Sequence, residues 1–127
     1  MEVVRQALDA YMRRDVEELR RLGSADVELD WSASRGWLAG VYRGFEDTMR
    51  FYADYFAAFT EITIEAESYT PVRDQVVVPN VAHQRGRDGI EVTARSAFVF
   101  TVSDGVITRI CLYQETADAL KAVGLEK

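Results

Sequence analysis

The stretch QVVVPNVAHQRGRDGIEVTARSAFVFTVSDGVITRICLYQE, residues 75–115, decides the fold. Over 75–84 and 90–102 apolar residues alternate with polar ones or run as short β-branched and aromatic blocks, which reads as two strands. Arg85, Gly86, Arg87, Asp88 and Gly89 join them, and Ser103-Asp104-Gly105 makes a tight hairpin into a third strand at 106–115. Upstream, Ile62, Ile64 and Ala66 alternate with Glu61, Thr63, Glu65 and Glu67, so another strand precedes these three. Consecutive hairpins predict an antiparallel meander.

The first half of the chain has the helical period. Val3, Val4, Ala7, Leu8 and Tyr11 predict an amphipathic helix over 2–13. Asp15 restarts the chain as an N-cap with Glu18 three positions later; Val16, Leu19 and Leu22 form a short stripe, and Gly23 supplies the stop. Asp26 to Trp31 alternates Val27, Leu29 and Trp31 against Asp26, Glu28 and Asp30, a strand pattern, and 32–40 follows as a loop. Phe45, Met49, Tyr52, Phe56 and Phe59, with Phe51 and Tyr55 beside them, predict an aromatic helix. Thr116 caps a last short helix ending near Gly124. Three helices and one bent antiparallel sheet must bury their apolar faces on each other, which predicts a single α+β domain over 1–127: a conical, half-open barrel with the three N-terminal-half helices over the concave face of the sheet and a cavity between them.

Composition narrows the function. With 127 residues, 48% of them hydrophobic, the chain can build one core. The 15 Lys and Arg stand against 21 Asp and Glu, a formal charge of −6, so no basic surplus exists to displace counterions from nucleic acid. No apolar run is long enough for a membrane span and no signal sequence is read, while the lone Cys111 fits a reducing compartment; a cytoplasmic protein is expected. His83 is the only histidine and falls out of register with Asn80 and Ala82, so no metal centre and no cofactor are expected, and His83 should face the outer side of the sheet.

The chain resembles the nuclear transport factor 2-like superfamily, in its branch of SnoaL-type polyketide cyclases and ketosteroid isomerases. The resemblance rests on Asp15-Val16-Glu17-Glu18-Leu19, Ala25-Asp26-Val27-Glu28-Leu29-Asp30, Gly40-Val41-Tyr42-Arg43-Gly44, Gln84-Arg85-Gly86-Arg87, Ser103-Asp104-Gly105-Val106-Ile107 and the ending Ala119 to Leu125. It implies the conical fold, which serves isomerases, cyclases and catalytically inert binding modules alike. It also implies that the proton-shuttling acid of the isomerases falls on Asp30 and a Tyr of their supporting network on Tyr52. Their direct oxyanion donor falls on Ala7, and its protonated Asp partner on Ser96. Losing one such donor typically costs ~10²- to 10³-fold in rate, which argues against an efficient steroid isomerase of the known type. The acid of the cyclases falls near Glu115, or one position earlier on Gln114.

Asp30, beside Trp31, is the candidate general base; the ordinary alternative is a solvated strand face with Glu28, and a twist or bulge after Leu29 is needed to turn it inward. Asn80, in register with Val76, Val78 and Ala82, reads as a ligand-orienting amide or as a bulge partner beside Pro79. Ser96 and Gln114 read as pocket groups, against a small core serine and a strand-end rim residue. Tyr11, Tyr52, Tyr55 and Trp31 line a cavity or fill the core. Two functions follow: proton abstraction from a carbonyl compound of polycyclic or terpenoid size, with Asn80, Ser96 or Gln114 polarising the carbonyl, or a non-catalytic module that binds a small apolar ligand or dimerises. The outer face, with Val77, Val81, Ala97, Val99 and Ile107, is apolar enough to predict a homodimer through that face.

Overall fold

A computed structural model describes residues 2–34 and 38–125. In chain order the elements are α1 (Glu2–Arg13), α2 (Val16–Leu22), β1 (Gly23–Asp30), β2 (Val41–Arg43), α3 (Gly44–Ala58), β3 (Phe59–Ala66), β4 (Thr70–Val72), β5 (Gln75–Gly86), β6 (Glu91–Ser103), β7 (Val106–Tyr113) and α4 (Thr116–Ala122). The helices and the long strands fall where the periodicities place them. Asp15 caps α2 as expected, its Oδ1 accepting from the Glu18 backbone N–H at 3.1 Å. Asp104 and Gly105 both take positive φ, 53° and 80°, the backbone that a two-residue hairpin matched to strand twist requires.

The sheet has the order β2-β1-β7-β6-β5-β3, with β4 paired to β5. It is mixed rather than a pure meander, because β1 runs parallel to β7. Two short strands, β2 and β4, escape the periodicity reading, since three residues are too few to show a period of two. β1 begins at Gly23, directly after α2, rather than at Asp26: Gly23 takes an extended φ of −101° and starts the strand instead of closing the helix in the left-handed region. The expected loop 32–40 includes three residues, 35–37, that lie outside the described part.

One side of the sheet carries the main core. Val4, Leu8, Leu29, Phe51, Phe56, Ile62, Val78, Phe98, Phe100 and Leu112 bury together between α1, α3 and the strands. The aromatic helix α3 is closed by arginines. Arg14 Nη1 donates to Phe56 O at 3.3 Å and Arg87 Nε donates to Ala57 O, placing two cations on the carbonyl end of the helix dipole. Arg87, one of the residues that join β5 to β6, thus ties that turn to α3.

The opposite face corrects the reading of self-association. Val77, Ala97 and Val99 are buried beneath α4 of the same chain, against Ala119 and Val123, with Val72, Tyr113 and Leu120 around them. Ile107 belongs to the inner core instead of the outer face, because the β6–β7 ladder shifts register between Thr101 and Val102. The apolar surface offered as ground for a homodimer is therefore covered internally. Beyond α4 the outer face carries cross-strand ion pairs, Arg85 to Glu61 and Glu91 and Arg95 to Glu67 at 2.9 Å, and the His83 ring lies 3.2 Å from the Glu65 carboxylate.

Candidate functional site

The cone is filled at its closed end and open at its mouth. Ala7, Leu19, Leu29, Phe51, Tyr52 and Phe100 surround only a residual void of about 30 Å³, roughly the share of one water molecule in the liquid. Tyr11, Trp31 and Phe98 separate that void from a cavity of about 400 Å³ and line both. The Trp31 and Phe98 rings stack at 5.7 Å, making a flat apolar floor. The larger cavity falls within the size range of pockets for small organic ligands. Its walls are Phe59, Ile64, Ala82, Val92, Ala94 and Leu112. Among the described residues its polar groups are Tyr11, Ser34, Tyr55, Gln84, Ser96, Gln114 and, with Arg95, a single cation already paired to Glu67.

Trp31, Ser96 and Gln114 lie at this cavity. Gln114 Nε2 donates to Ala33 O at 2.7 Å, which ties the segment after β1 to the end of β7 and leaves the amide oxygen as the free end of the side chain. Tyr52 lies one layer deeper, at the small void, where burial pushes its phenol well above the ordinary range. Asn80 is fully buried behind the wall instead of lining it. Its Nδ2 donates to Val78 O at 3.1 Å and its Oδ1 accepts from the Ser96 hydroxyl at 3.3 Å, so the amide spends itself on its own strand and on Ser96. It orients Ser96 and does not touch the cavity.

The geometry corrects the assignment of Asp30 as a base facing the cavity. The irregularity in β1 lies between Gly23 and Glu28, before rather than after Leu29, so Asp30 stays opposite the inward-facing Leu29 and Trp31. Its Oδ2 accepts from Arg109 Nη2 at 3.1 Å, and its Oδ1 accepts from the Ser32 backbone N–H at 3.1 Å and the Ser32 hydroxyl at 2.5 Å. Partial burial pulls its pKa upward, but the Ser32 hydrogen bonds and the Arg109 charge outweigh it and hold the carboxyl below its usual range. Glu28 shares the same cation, accepting from Arg109 Nε at 2.9 Å, and is likewise lowered. A carboxylate so satisfied is a weak proton acceptor near neutrality. None of the described residues around the cavity is an Asp, Glu or His.

Two residues at the cavity carry more of its chemistry than the sequence reading gave them. Gln84 continues the inward register of Asn80 and Ala82, a signal present in the alternation but passed over, and Tyr55, read as cavity or core, lies at the cavity beside it. Gln84 Nε2 donates to the Tyr55 hydroxyl, and the Tyr11 ring lies 5.8 Å from that of Tyr55. Burial raises the Tyr55 phenol while these two neighbours draw it back down. Tyr11, fully enclosed, is raised well above its ordinary value by burial, with the neighbouring tyrosines adding to the effect.

Comparison with known proteins agrees with this architecture. The model of the SnoaL-like domain matches residues 4–110. An uncharacterised protein of Mycobacterium tuberculosis, Rv0034, is 30% identical over 111 residues, covering 87% of this chain and 84% of that one. Among solved structures, Rv0760c from Mycobacterium tuberculosis in complex with estradiol-17beta-hemisuccinate superposes with a TM-score of 0.79 at 20% identity, over 89% of this chain and 91% of that one. The Delta 5-3-ketosteroid isomerase from Mycobacterium sp. superposes with a TM-score of 0.78 at 18% identity, over 90% and 91%. At such identities the two structures share the fold with this protein. By the family model, which spans most of its length, the chain belongs to the SnoaL-like domain family.

Proposed function

We propose that the protein binds a small, flat, mostly apolar molecule of two to four fused rings in the mouth of the cone, without using Asp30 as a base. The observation that carries this reading is the cavity of about 400 Å³, floored by the stacked Trp31 and Phe98 and carrying neutral hydrogen-bonding groups on its walls. A flat apolar floor rewards a ring system by removing apolar area from water, about 25 cal/mol for each Å². Neutral amides and hydroxyls fix orientation without the desolvation cost of a charge. The steroid conjugate held by Rv0760c is of the same class, which adds support by analogy.

A reaction opening with proton removal by Asp30 draws no support from this geometry, because its carboxylate is engaged by Arg109 and Ser32 on the other side of β1. The non-catalytic reading is thus favoured over the isomerase or cyclase one.

Equilibrium dialysis with the three-ring hydrocarbon fluorene tests the proposal. Saturable one-to-one binding is expected for the wild-type chain. Ala82→Phe, which projects a ring from β5 into the cavity, should abolish it while leaving the far-UV circular dichroism unchanged. Equal retention of fluorene by the wild-type and the filled variant would sink the reading.

A further inference from the structure

The side wall of the cavity has a seam where a helix meets the edge of the sheet. β3 is the last strand, paired to β5 on one side and open on the other. An open edge presents backbone groups that must be covered or left to water. Here α1 covers it: the Ile64 N–H points away from β5 and donates to Met12 Sδ at 3.3 Å. A thioether is a weak acceptor, so closeness more than strength holds this contact. Tyr11, next to Met12 on α1, and Ile64 both line the cavity of about 400 Å³.

The end of α1 at this seam is lightly held. Met12 lies in the last turn of the helix, which stops at Arg13, and Arg14 follows in the left-handed region with φ 60°. That turn can lift without bending the rest of the helix. Arg14 Nη1 ties the same end to α3 through Phe56 O at 3.3 Å, yet Arg14 Nη2 is buried with no hydrogen-bond partner among the described residues. Met12 itself is half-buried, packed against the main core on one side.

We propose that Met12 is an oxidation-sensitive latch between α1 and β3, and that its conversion to the sulfoxide loosens the side wall of the cavity. The latch stands on the Ile64 contact; its effect on a bound molecule rests on the reading that the cavity takes a ligand. A lone pair of Sδ attacks one oxygen of hydrogen peroxide, and the S–O bond forms as the O–O bond breaks. The departing hydroxide takes the proton of the transferred OH and leaves as water, so sulfur loses two electrons and the peroxide gains them. The electron-poor sulfoxide sulfur no longer accepts from Ile64. Its oxygen is a better acceptor but stands a bond length further out. With sulfur already at hydrogen-bond distance from the nitrogen, that oxygen fits between them only if α1 moves away. Turned elsewhere, it leaves the Ile64 N–H without an acceptor. Either way the last turn of α1 loses its hold on β3.

The test uses the Met49→Leu chain, in which Met12 is the one methionine left among the described residues. Hydrogen peroxide is added, mass spectrometry places the oxygen, and NMR follows hydrogen exchange of the Ile64 amide. Oxidation should speed that exchange about fivefold, the factor given by loss of one hydrogen bond, and weaken fluorene binding by a similar factor. Methionine sulfoxide reductase with dithiothreitol should restore both. Met12→Leu, close in volume but unable to accept, should show fast Ile64 exchange from the outset and no response to peroxide. If Met12 takes up oxygen and Ile64 exchange does not change, or if Met12 stays reduced at peroxide levels that oxidise free methionine, the latch is overturned. If exchange quickens while fluorene affinity holds, the seam does not govern the cavity and the proposal fails. If the reduced chain binds no fluorene, the cavity reading fails and Ile64 exchange alone decides the latch.

Discussion

Asn80 offers the sharpest test of whether the wall of the cone is built as described, and the informative change is Asn80→Asp. The substitution keeps the shape and replaces an amide that donates to Val78 O by a group that ionises. Asn80 has no exposed surface, and the one donor that reaches its Oδ1 is the Ser96 hydroxyl. When protonated, the introduced carboxyl would still donate to Val78 O and accept from Ser96, so near pH 4 the variant should match the wild type to within about 1 kcal/mol. Ionisation inside the wall is opposed by burial, which raises the folded pKa above the unfolded value of about 3.9. A raised folded pKa on an acid means that the unfolded chain releases its proton first. The penalty is therefore absent below the unfolded pKa and grows as pH rises, by about 1.4 kcal/mol per unit until the folded pKa is reached. At pH 6 that amounts to about 3 kcal/mol, a large part of the roughly 5–15 kcal/mol typical of a domain. Urea titrations followed by tryptophan fluorescence at pH 4, 5, 6 and 7 would read the slope. A stability difference from wild type that stays flat across this range would refute the argument, since it would mean that the side chain reaches water and that Asn80 belongs to the cavity after all.

Two further outcomes are expected from the other side of the sheet. Arg109→Met should cost about 1 to 2 kcal/mol at pH 7, because Glu28 and Asp30 would lose their shared cation while Arg109 itself is too exposed for more. Both carboxyls have lowered folded pKa values, so their contribution is present above about pH 4 to 5 and fades as pH falls through the folded values; the gap between variant and wild type should close in acid, as thermal melts at pH 7 and pH 3 would show. Ending the chain at Glu115 removes α4 and bares Val77, Ala97 and Val99, which should turn the protein into dimers or larger assemblies by sedimentation velocity. A truncated chain that stays monomeric and equally stable would show that α4 covers nothing of consequence.

What could be read from sequence followed from periodicity, and what could not depended on partners far away in the chain. The alternation Val76, Val78, Asn80, Ala82 correctly gave one inner face of β5, and it extended to Gln84 for the same reason. Whether an inward position meets a cavity or solid packing is set by what stands opposite. Asn80 faces inward yet is sealed by its own neighbours, while Ser96, its cross-strand partner, reaches the cavity. The partner of Gln84 is 29 residues away on a helix whose aromatic spacing looks the same for core and for site. Asp30 was judged by its neighbour Trp31, but its environment is decided by Arg109, 79 residues on, across a parallel pairing that no hairpin rule announces. The apolar residues of α4 are three alanines and Leu120, which suit either face of the sheet, so their docking on the outer face was not legible.

The distribution of charge explains why one strand pattern yields both a stable wall and a ligand site. On β3, β5 and β6 the outward positions hold Glu61, Glu65, His83, Arg85 and Arg95, with Glu67 just past β3, and these meet one another across strands. The inward positions of the same strands hold Ile62, Ile64, Ala82, Gln84, Ala94, Ser96 and Phe98. A charge placed among these would need a counter-charge or lose several kcal/mol to desolvation, whereas a hydroxyl or amide needs only one or two hydrogen-bond partners. β5 and β6 can thus carry charge pairs on the outer face beyond the apolar patch under α4, and around the cavity stay neutral apart from the paired Arg95. A neutral, mostly apolar guest of the kind proposed suits that environment, because the one cation among the described residues of the cavity is already paired to Glu67 and leaves none to meet an added charge.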